Sequence, residues 1–185
     1  MSPGSAPSTV SPGSAPSTAS RVLDAAEALV QVRGFNGFSY ADIAAELQIT
    51  KASLHYHFAT KADLGEALIT RYAARFLEAL AEMDTDGAAA YAKLYADVLS
   101  QHKMCLCGML AAEYPTLPAP MQTAVLGFFD ENEAWLAAVL EQGSQEGSLD
   151  FSGPARDAAR FQVAAASLLA SLTAPANGQA RAQRE

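Results

Sequence analysis

Cysteine is nearly missing from this chain. There are two, Cys105 and Cys107, one residue apart, too few and too close to frame a disulfide scaffold. No apolar run reaches the roughly 18 residues that a membrane-spanning helix needs. The first residues offer neither a basic stretch nor an apolar core, so no secretory leader is expected. A cytoplasmic protein with no membrane contact follows as the expectation. Enzyme signatures are missing too: no H-E-x-x-H pair, no glycine-rich phosphate loop after a strand and no nucleophile elbow occur. Histidine occurs three times, and two of the three, His55 and His57, share one short stretch. No enzyme, no cofactor and no metal are expected on these grounds.

What is present is helix-forming. Half of the 185 residues are hydrophobic, enough to bury a core. Alanine, the best helix former, recurs throughout. No period-two pattern marks a strand, so the chain reads as all-α. Its net charge of −8 is unevenly spread: Leu47 to Ala62 holds no acid but contains Lys51, His55, His57 and Lys61, whereas Ala73 onward carries 14 acids against 7 bases. The acidity therefore gathers in the second half, and charges lying beyond a Debye length of about 8 Å are largely screened from one another.

Residues 2–10 (SPGSAPSTV) and 11–19 (SPGSAPSTA) form a tandem repeat. Its Pro, Gly, Ser and Thr cannot build a core, so 1–19 is expected to be disordered. A first helix is predicted from a Ser20 cap to about Arg33, with Val22, Ala26, Leu29 and Val30 as its stripe. Gly34 and Gly37 turn the chain. Ser39 caps a second helix, with Asp42 in its first turn, and Ile43, Ala44 and Leu47 face inward. After Gln48-Ile49, Thr50 caps a third helix, Lys51 to His57. Thr60 caps a fourth, to about Met83, with Leu64, Leu68, Tyr72, Phe76 and Leu80 as its stripe. Further helices are expected over Ala88–His102, Met104–Tyr114, Pro118–Gly143 and from Pro154 to Thr173, about nine in all. The division reads as 1–19 tail, 20–66 head, 67–174 helical body and 175–185 flexible end.

Two short helices joined by a tight turn, ahead of a long one, form a helix-turn-helix. Such motifs place the N-terminal residues of the second helix against base edges in the major groove. Those residues here are Thr50, Lys51, Ala52 and Ser53, followed by His55 and Tyr56. Lysine suits guanine O6 or N7, serine either base type, and alanine a thymine methyl. Ser39, Tyr40 and Lys61 complete the expected DNA set. Ser39 and Lys61 stand at helix N-termini, where free N–H groups favour phosphate, while His57 and Phe58 are expected to lock the third helix onto the first and fourth.

The stretch GFNGFSYADIAAELQITKASLHYHFATKADL resembles the DNA-binding domain of TetR-type repressors over about residues 20–70. The K-x-S-L-x-x-H-F-x-x-K-x-x-L run is the specific part. The chain departs from the family in having Gln48 where glycine usually makes the turn, and His55, followed by Tyr56, where tyrosine usually follows the leucine. The resemblance implies that the remainder is the family's divergent domain for binding a ligand and for dimerisation, and that the protein is a repressor released from its operator by a small molecule.

In that remainder, Phe76, Tyr91, Tyr95, Met104, Cys105, Cys107, Met109, Tyr114, Phe128 and Trp135 are the expected effector-pocket lining, because soft and aromatic side chains suit a small-molecule site. The same residues also suit a plain core. The cysteines read as buried small hydrophobes or as thiol sensors of oxidants and electrophiles, the latter requiring exposure and a lowered pKa. On a helix, residues two apart point about 160° from each other, against a bond between them. His102 and Cys105 would share a helix face, but no second cluster completes a metal site. Phe129, Leu136, Leu140, Phe161, Ala165, Leu168, Leu169 and Leu172 are the expected dimer seam, a four-helix bundle with the symmetry mate. The expected partners are operator duplex DNA, a small effector and a second copy. The competing class is a helical small-molecule binder with a vestigial head.

Overall fold

The computed structural model describes residues 16–82 and 105–173, with the isolated positions Ala89, Tyr91, Lys93 and Ala96; side chains in the last helix are described as far as Ala166. The described residues form seven α-helices: α1 Thr18–Arg33, α2 Tyr40–Leu47, α3 Lys51–His57, α4 Lys61–Glu82, α5 Leu106–Ala112, α6 Ala119–Gln145 and α7 Ala155–Thr173. A 3-10 turn at Tyr114–Thr116 separates α5 from α6. The all-α class stands, and the described helices number somewhat fewer than nine. The helix expected over Ala88–His102 lies largely outside the described residues, as do most of the N-terminal repeat and the tail after Thr173.

Local chemistry sets most helix starts. The Ser39 hydroxyl accepts from the Ala41 N–H at 3.2 Å, while the Asp42 carboxylate accepts from the Ser39 N–H at 2.7 Å. Thr60 and Asp63 repeat the exchange at α4, at 3.1 and 2.9 Å. Thr50 caps α3 by accepting from the Ser53 N–H at 3.2 Å. Each such cap satisfies helix-end donors that would otherwise lack partners. The start of α1 differs from the expected Ser20. Ser17 takes the Ser20 N–H at 3.1 Å, so the end of the second repeat copy already belongs to the helix.

The helices pack as a head and a body that share α4. Val22, Ala26, Val30, Ile43, Leu54 and Leu64 are buried at 9% exposure or less and fill the head. Further along α4, Tyr72, Phe76 and Leu80 turn into the body, where α6 packs along both α4 and α7. Where α4 passes α6, Gly65 lies against the Met121 thioether, whose end would have to shift for a Cβ there. Ion pairs tie α4 back to α1. Arg71 meets Asp24 at 2.7 Å and Glu27 at 3.0 Å, and Arg75 meets Glu27 at 2.5 Å. Between α6 and α7, Glu133 accepts from Arg156 Nε at 2.7 Å and Arg160 Nε at 3.0 Å.

The α2–α3 turn carries backbone strain. Gln48 adopts φ 55°, ψ 43°, the one non-glycine residue with positive φ among those described. It caps α2 with its N–H on the Ala44 carbonyl. A side chain in this region costs roughly 1–2 kcal/mol, against about 0.4–1 kcal/mol for the extra unfolded-state freedom of glycine. Gln48→Gly should therefore stabilise the protein by about 0.5–1 kcal/mol in urea unfolding.

The Glu133 carboxyl is held below its ordinary value by hydrogen bonds from Arg160 and Arg156. A carboxyl depressed in the folded state stabilises fully above its unfolded value, about 4.3, and loses that contribution as pH falls through the folded value. The stability gap between wild type and Glu133→Gln should thus be constant at neutral pH and close steadily on acidification below about pH 4. Denaturant titrations across pH measure it.

Candidate nucleic-acid interface and effector site

The outer face of α3 is built by its two ends. Thr50 starts the helix, and the buried Leu54 anchors it to the head. Thr50, Lys51, Ala52, His55 and Tyr56 are then left exposed, and Ser53 is half-buried. Lys51 has no ion-pair or hydrogen-bond partner among the described residues. The two rings whose order departs from the family pattern behave differently. His55 Nδ1 lies 2.9 Å from the Ala59 carbonyl and its ring packs on Tyr40 at 4.8 Å. A carbonyl only accepts, so Nδ1 carries the proton and Nε2 faces outward. Tyr56 is 85% exposed, with only the edge of the His57 ring against it.

Three expected DNA contacts are used by the fold instead. Lys61, expected as a phosphate clamp, folds its ammonium inward. It donates to the Phe35 and Phe38 carbonyls, each at 2.5 Å, and sits 4.4 and 4.2 Å from the centroids of those two rings. Burial pushes its pKa down. Tyr40 is buried, and its hydroxyl lies 2.9 Å from the Phe58 carbonyl and 2.7 Å from that of Thr60, pinning the α3–α4 junction. Burial and the nearby Asp63 push its pKa up to about 12. Ser39 donates its hydroxyl to Asp42 at 2.7 Å, so a phosphate there would face a carboxylate. The N-termini of α2 and α4 already hold their own acids, Asp42 and Asp63, whereas the first turn of α3 holds none. Of the head helices beyond α1, α3 alone presents a tip free of negative charge.

The turn between α1 and α2 is gripped from its other side as well. Glu113, at the end of α5, accepts from the Phe35 N–H at 2.5 Å and the Asn36 N–H at 3.4 Å. Asn36 Nδ2 also donates to Glu113 at 3.3 Å and to the Thr116 hydroxyl at 2.8 Å. Sequence reasoning missed both partners, which stand 77 to 80 residues from the turn.

In the body, four of the expected lining residues do meet. Phe76 and Phe128 lie 5.4 Å apart, Phe76 and Tyr91 6.3 Å, and Tyr91 and Trp135 6.2 Å, centroid to centroid. Tyr72, which the lining set omitted, joins them at 5.9 Å from Phe128 and lies with its hydroxyl 3.5 Å from Cys105 Sγ. Its place in the α4 stripe was the available signal. Met109 and Tyr114 are half-buried at the edge of the core. Tyr95 and Met104 fall outside the described residues. Both cysteines are buried, and burial pushes the Cys107 thiol well up. The thiol-sensor reading asks for exposure, and in this structure neither thiol is exposed. Cys105 precedes α5 rather than lying within it, and His102 lies outside the described residues. A separate groove of about 350 Å³ opens between α4 and α6, lined by Ile69, Ala73, Leu77, Ala124, Gly127 and Phe128 among others.

The expected dimer seam divides. Leu136 and Leu140 are buried inside their own protomer at 0% and 7% exposure, so they cannot serve a partner; α6 turns them toward the core with Phe128 and Asn132. Phe129 and Ala165 are half-buried, and Phe161 is 78% exposed on α7. The side chains of Leu168, Leu169 and Leu172 lie beyond those described.

A helix-turn-helix head with a bare second helix, joined through a shared long helix to an aromatic-cored helical body, defines a class: the one-chain regulator that couples a DNA reader to a separate body. The family profile of bacterial regulatory proteins of the tetR family matches residues 22–68. The structure resembles that of a TetR-family transcriptional regulator from Agrobacterium tumefaciens, with TM-score 0.78 and 33% identity over 83% of this chain and 86% of that one. It also resembles the reduced form of NemR from Escherichia coli, with TM-score 0.74 and 27% identity over 85% of this chain and 88% of that one. The transcriptional regulator AcuR of Cereibacter sphaeroides is 24% identical over 127 residues, which span 63% of this chain and 58% of AcuR. The chain belongs to the TetR family of transcriptional regulators. No helix among the described residues is long and apolar enough to cross a membrane.

The Lys61 ammonium is thus held by the head's own backbone and rings. Lys61→Met keeps the stem but removes the donor from two carbonyls and the cation from two rings, which should cost roughly 2 kcal/mol of stability. The slope of log affinity against log salt should stay that of the wild type. Thermal unfolding and binding at several salt concentrations measure the two effects.

Proposed function

We propose that this chain is a cytoplasmic, homodimeric repressor that docks α3 of each protomer into the major groove of a two-fold operator and leaves it when a small effector enters the body. The observation that carries this reading is the outer face of α3. Lys51, Ala52 and Tyr56 stand exposed there, with no acid in the helix's first turn, while the neighbouring helix starts are filled by Asp42 and Asp63. Thr50, Lys51, Ala52 and Ser53 read base edges. Tyr56, with its free hydroxyl, and His55, through Nε2, reach the phosphate backbone, which positions without specifying. Two heads one helical turn apart, about 34–36 Å, fill adjacent half-sites.

The effector site is the interior around Phe76, Tyr91, Cys105, Phe128 and Trp135, where α4 connects it directly to the head. A ligand favouring one head spacing over the other shifts the population between bound and free forms. The dimer seam runs along α7 and the outer side of α6, with Phe161 and Phe129 as its apolar centre. An exposed phenylalanine on a long helix supports this, since a large apolar side chain bare to water marks an association surface when others flank it.

Selection of duplexes from a random pool by the purified protein at low ionic strength should return a pseudo-palindrome. Lys51→Ala should weaken binding and lower the salt slope by about one ion when a phosphate is its partner, or relax one base position when a guanine is. Retention of no duplex by the wild type refutes the reading.

A further inference from the structure

We propose that Glu113 is a positioning residue for DNA reading: its carboxylate fixes the angle between head and body, and hence the spacing of the two recognition helices. This rests on the regulator reading above. The carboxylate reaches from the body across to the head and engages two backbone amides, those of Phe35 and Asn36, together with the Asn36 side chain. Thr116 adds a second body contact to the same asparagine. Gly34 makes room for this. It holds φ 74°, and a Cβ there would stand 2.7 Å from the Glu113 carboxylate. The clasp and the glycine are thus one device, since a side chain at position 34 would push the carboxylate off the amides.

The other charged ties of α1 stay within the head: Arg71 and Arg75 of α4 meet Asp24 and Glu27, and Arg33 meets Asp42 of α2 at 4.0 Å. They hold helices of the head's own framework together. The Glu113 clasp instead meets the opposite end of α1, and it comes from a different part of the body. It therefore resists swinging of the head about the α4 junction, which contacts to α4 alone do not.

Glu113 is also placed to report on the interior. It caps α5, a seven-residue helix whose first flank, Cys105, accepts from Tyr72 and whose Leu106 and Leu110 are fully buried. A short helix moves as a rigid unit, so a shift of Cys105 or Leu106 displaces the clasp at the other end. A merely structural Glu113 would raise stability and nothing else.

The test uses the full-length protein with spin labels at Glu46→Cys in the head and Glu141→Cys in the body, both exposed, diluted with unlabelled protein; the native cysteines are buried. Glu113→Ala should broaden the head-to-body distance distribution. It should lower affinity for the selected duplex about tenfold, and increase tolerance of a base pair inserted between half-sites, with base preference inside each half-site unchanged. Glu113→Gln, which still accepts from an amide, should recover part of each effect, and Asn36→Ala should reproduce them more weakly. Distances and spacing tolerance identical to wild type in Glu113→Ala would overturn the proposal, as would an affinity loss that follows thermal stability alone. If the wild type retains no duplex, the regulator reading fails, and the distance distribution still decides whether the clasp sets the angle.

Discussion

The turn from Gly34 to Phe38 is where the opposite demands of one backbone are met by opposite charges. Its carbonyls, at Phe35 and Phe38, point to the Lys61 ammonium; its amides, at Phe35 and Asn36, point to the Glu113 carboxylate. Hydrogen bonds to charged groups are the stronger kind, and an unmet backbone group in a half-buried turn costs more than an ordinary bond gains. The two charges also favour one another, the Glu113 field acting against the loss of charge that burial imposes on Lys61. The rings of Phe35 and Phe38 close over the ammonium at right angles to each other. The path of the chain from α1 into the reader pair α2–α3 follows from that arrangement. So does the attachment of the head to α5.

The same use of charge explains how an acidic chain can present a surface to DNA. Four of the head's acids are tied down by the fold, while Glu46 and Glu66 stay exposed. Asp42 and Asp63 are drawn into helix starts, where the backbone N–H groups hold them, and Asp24 and Glu27 are drawn against Arg71 and Arg75. What remains outward on α3 is a lysine, two hydroxyl-bearing side chains at its start, a tyrosine and a histidine. Net charge is thus a poor guide to binding here, and the placement of each acid decides.

The caps of α2, α3 and α4 were legible because they are local. A serine or threonine followed three residues later by aspartate predicts both ends of a capping exchange, and the structure has them at Ser39–Asp42 and Thr60–Asp63. The destinations of Lys61, Tyr40 and Glu113 were not legible. Each is fixed by a partner that only the fold brings near: carbonyls more than twenty residues away for Lys61, and amides nearly eighty away for Glu113. A lysine at a helix start looks the same in sequence whether it turns to phosphate or to its own core. Leu136 and Leu140 fail for a related reason. α6 carries apolar residues on more than one side, among them Phe128 and Phe129, and periodicity does not say which side meets the protomer's own core and which meets a copy. The αL turn at Gln48 was legible as a departure from glycine, and the backbone kept the conformation while accepting the strain.

The interior of the body constrains how any effector can act. Tyr72, Phe76, Tyr91 and Phe128 already occupy one another's faces and edges, and each is buried at 7% exposure or less. Among them on the same side of α6 lies Asn132, fully buried, its amide nitrogen donating back to the Phe128 carbonyl at 2.7 Å and its oxygen without a partner. Such an atom loses its water without gaining a donor, which makes the closed packing less favourable than an all-apolar one. A ligand placed between these described rings would move them, and the rings stand on α4 and α6. The helix that carries Tyr72 and Phe76 is the one that begins at Lys61, beneath the gripped turn. Opening the interior would therefore move the helix that also seats the head, beside the path through α5 and Glu113.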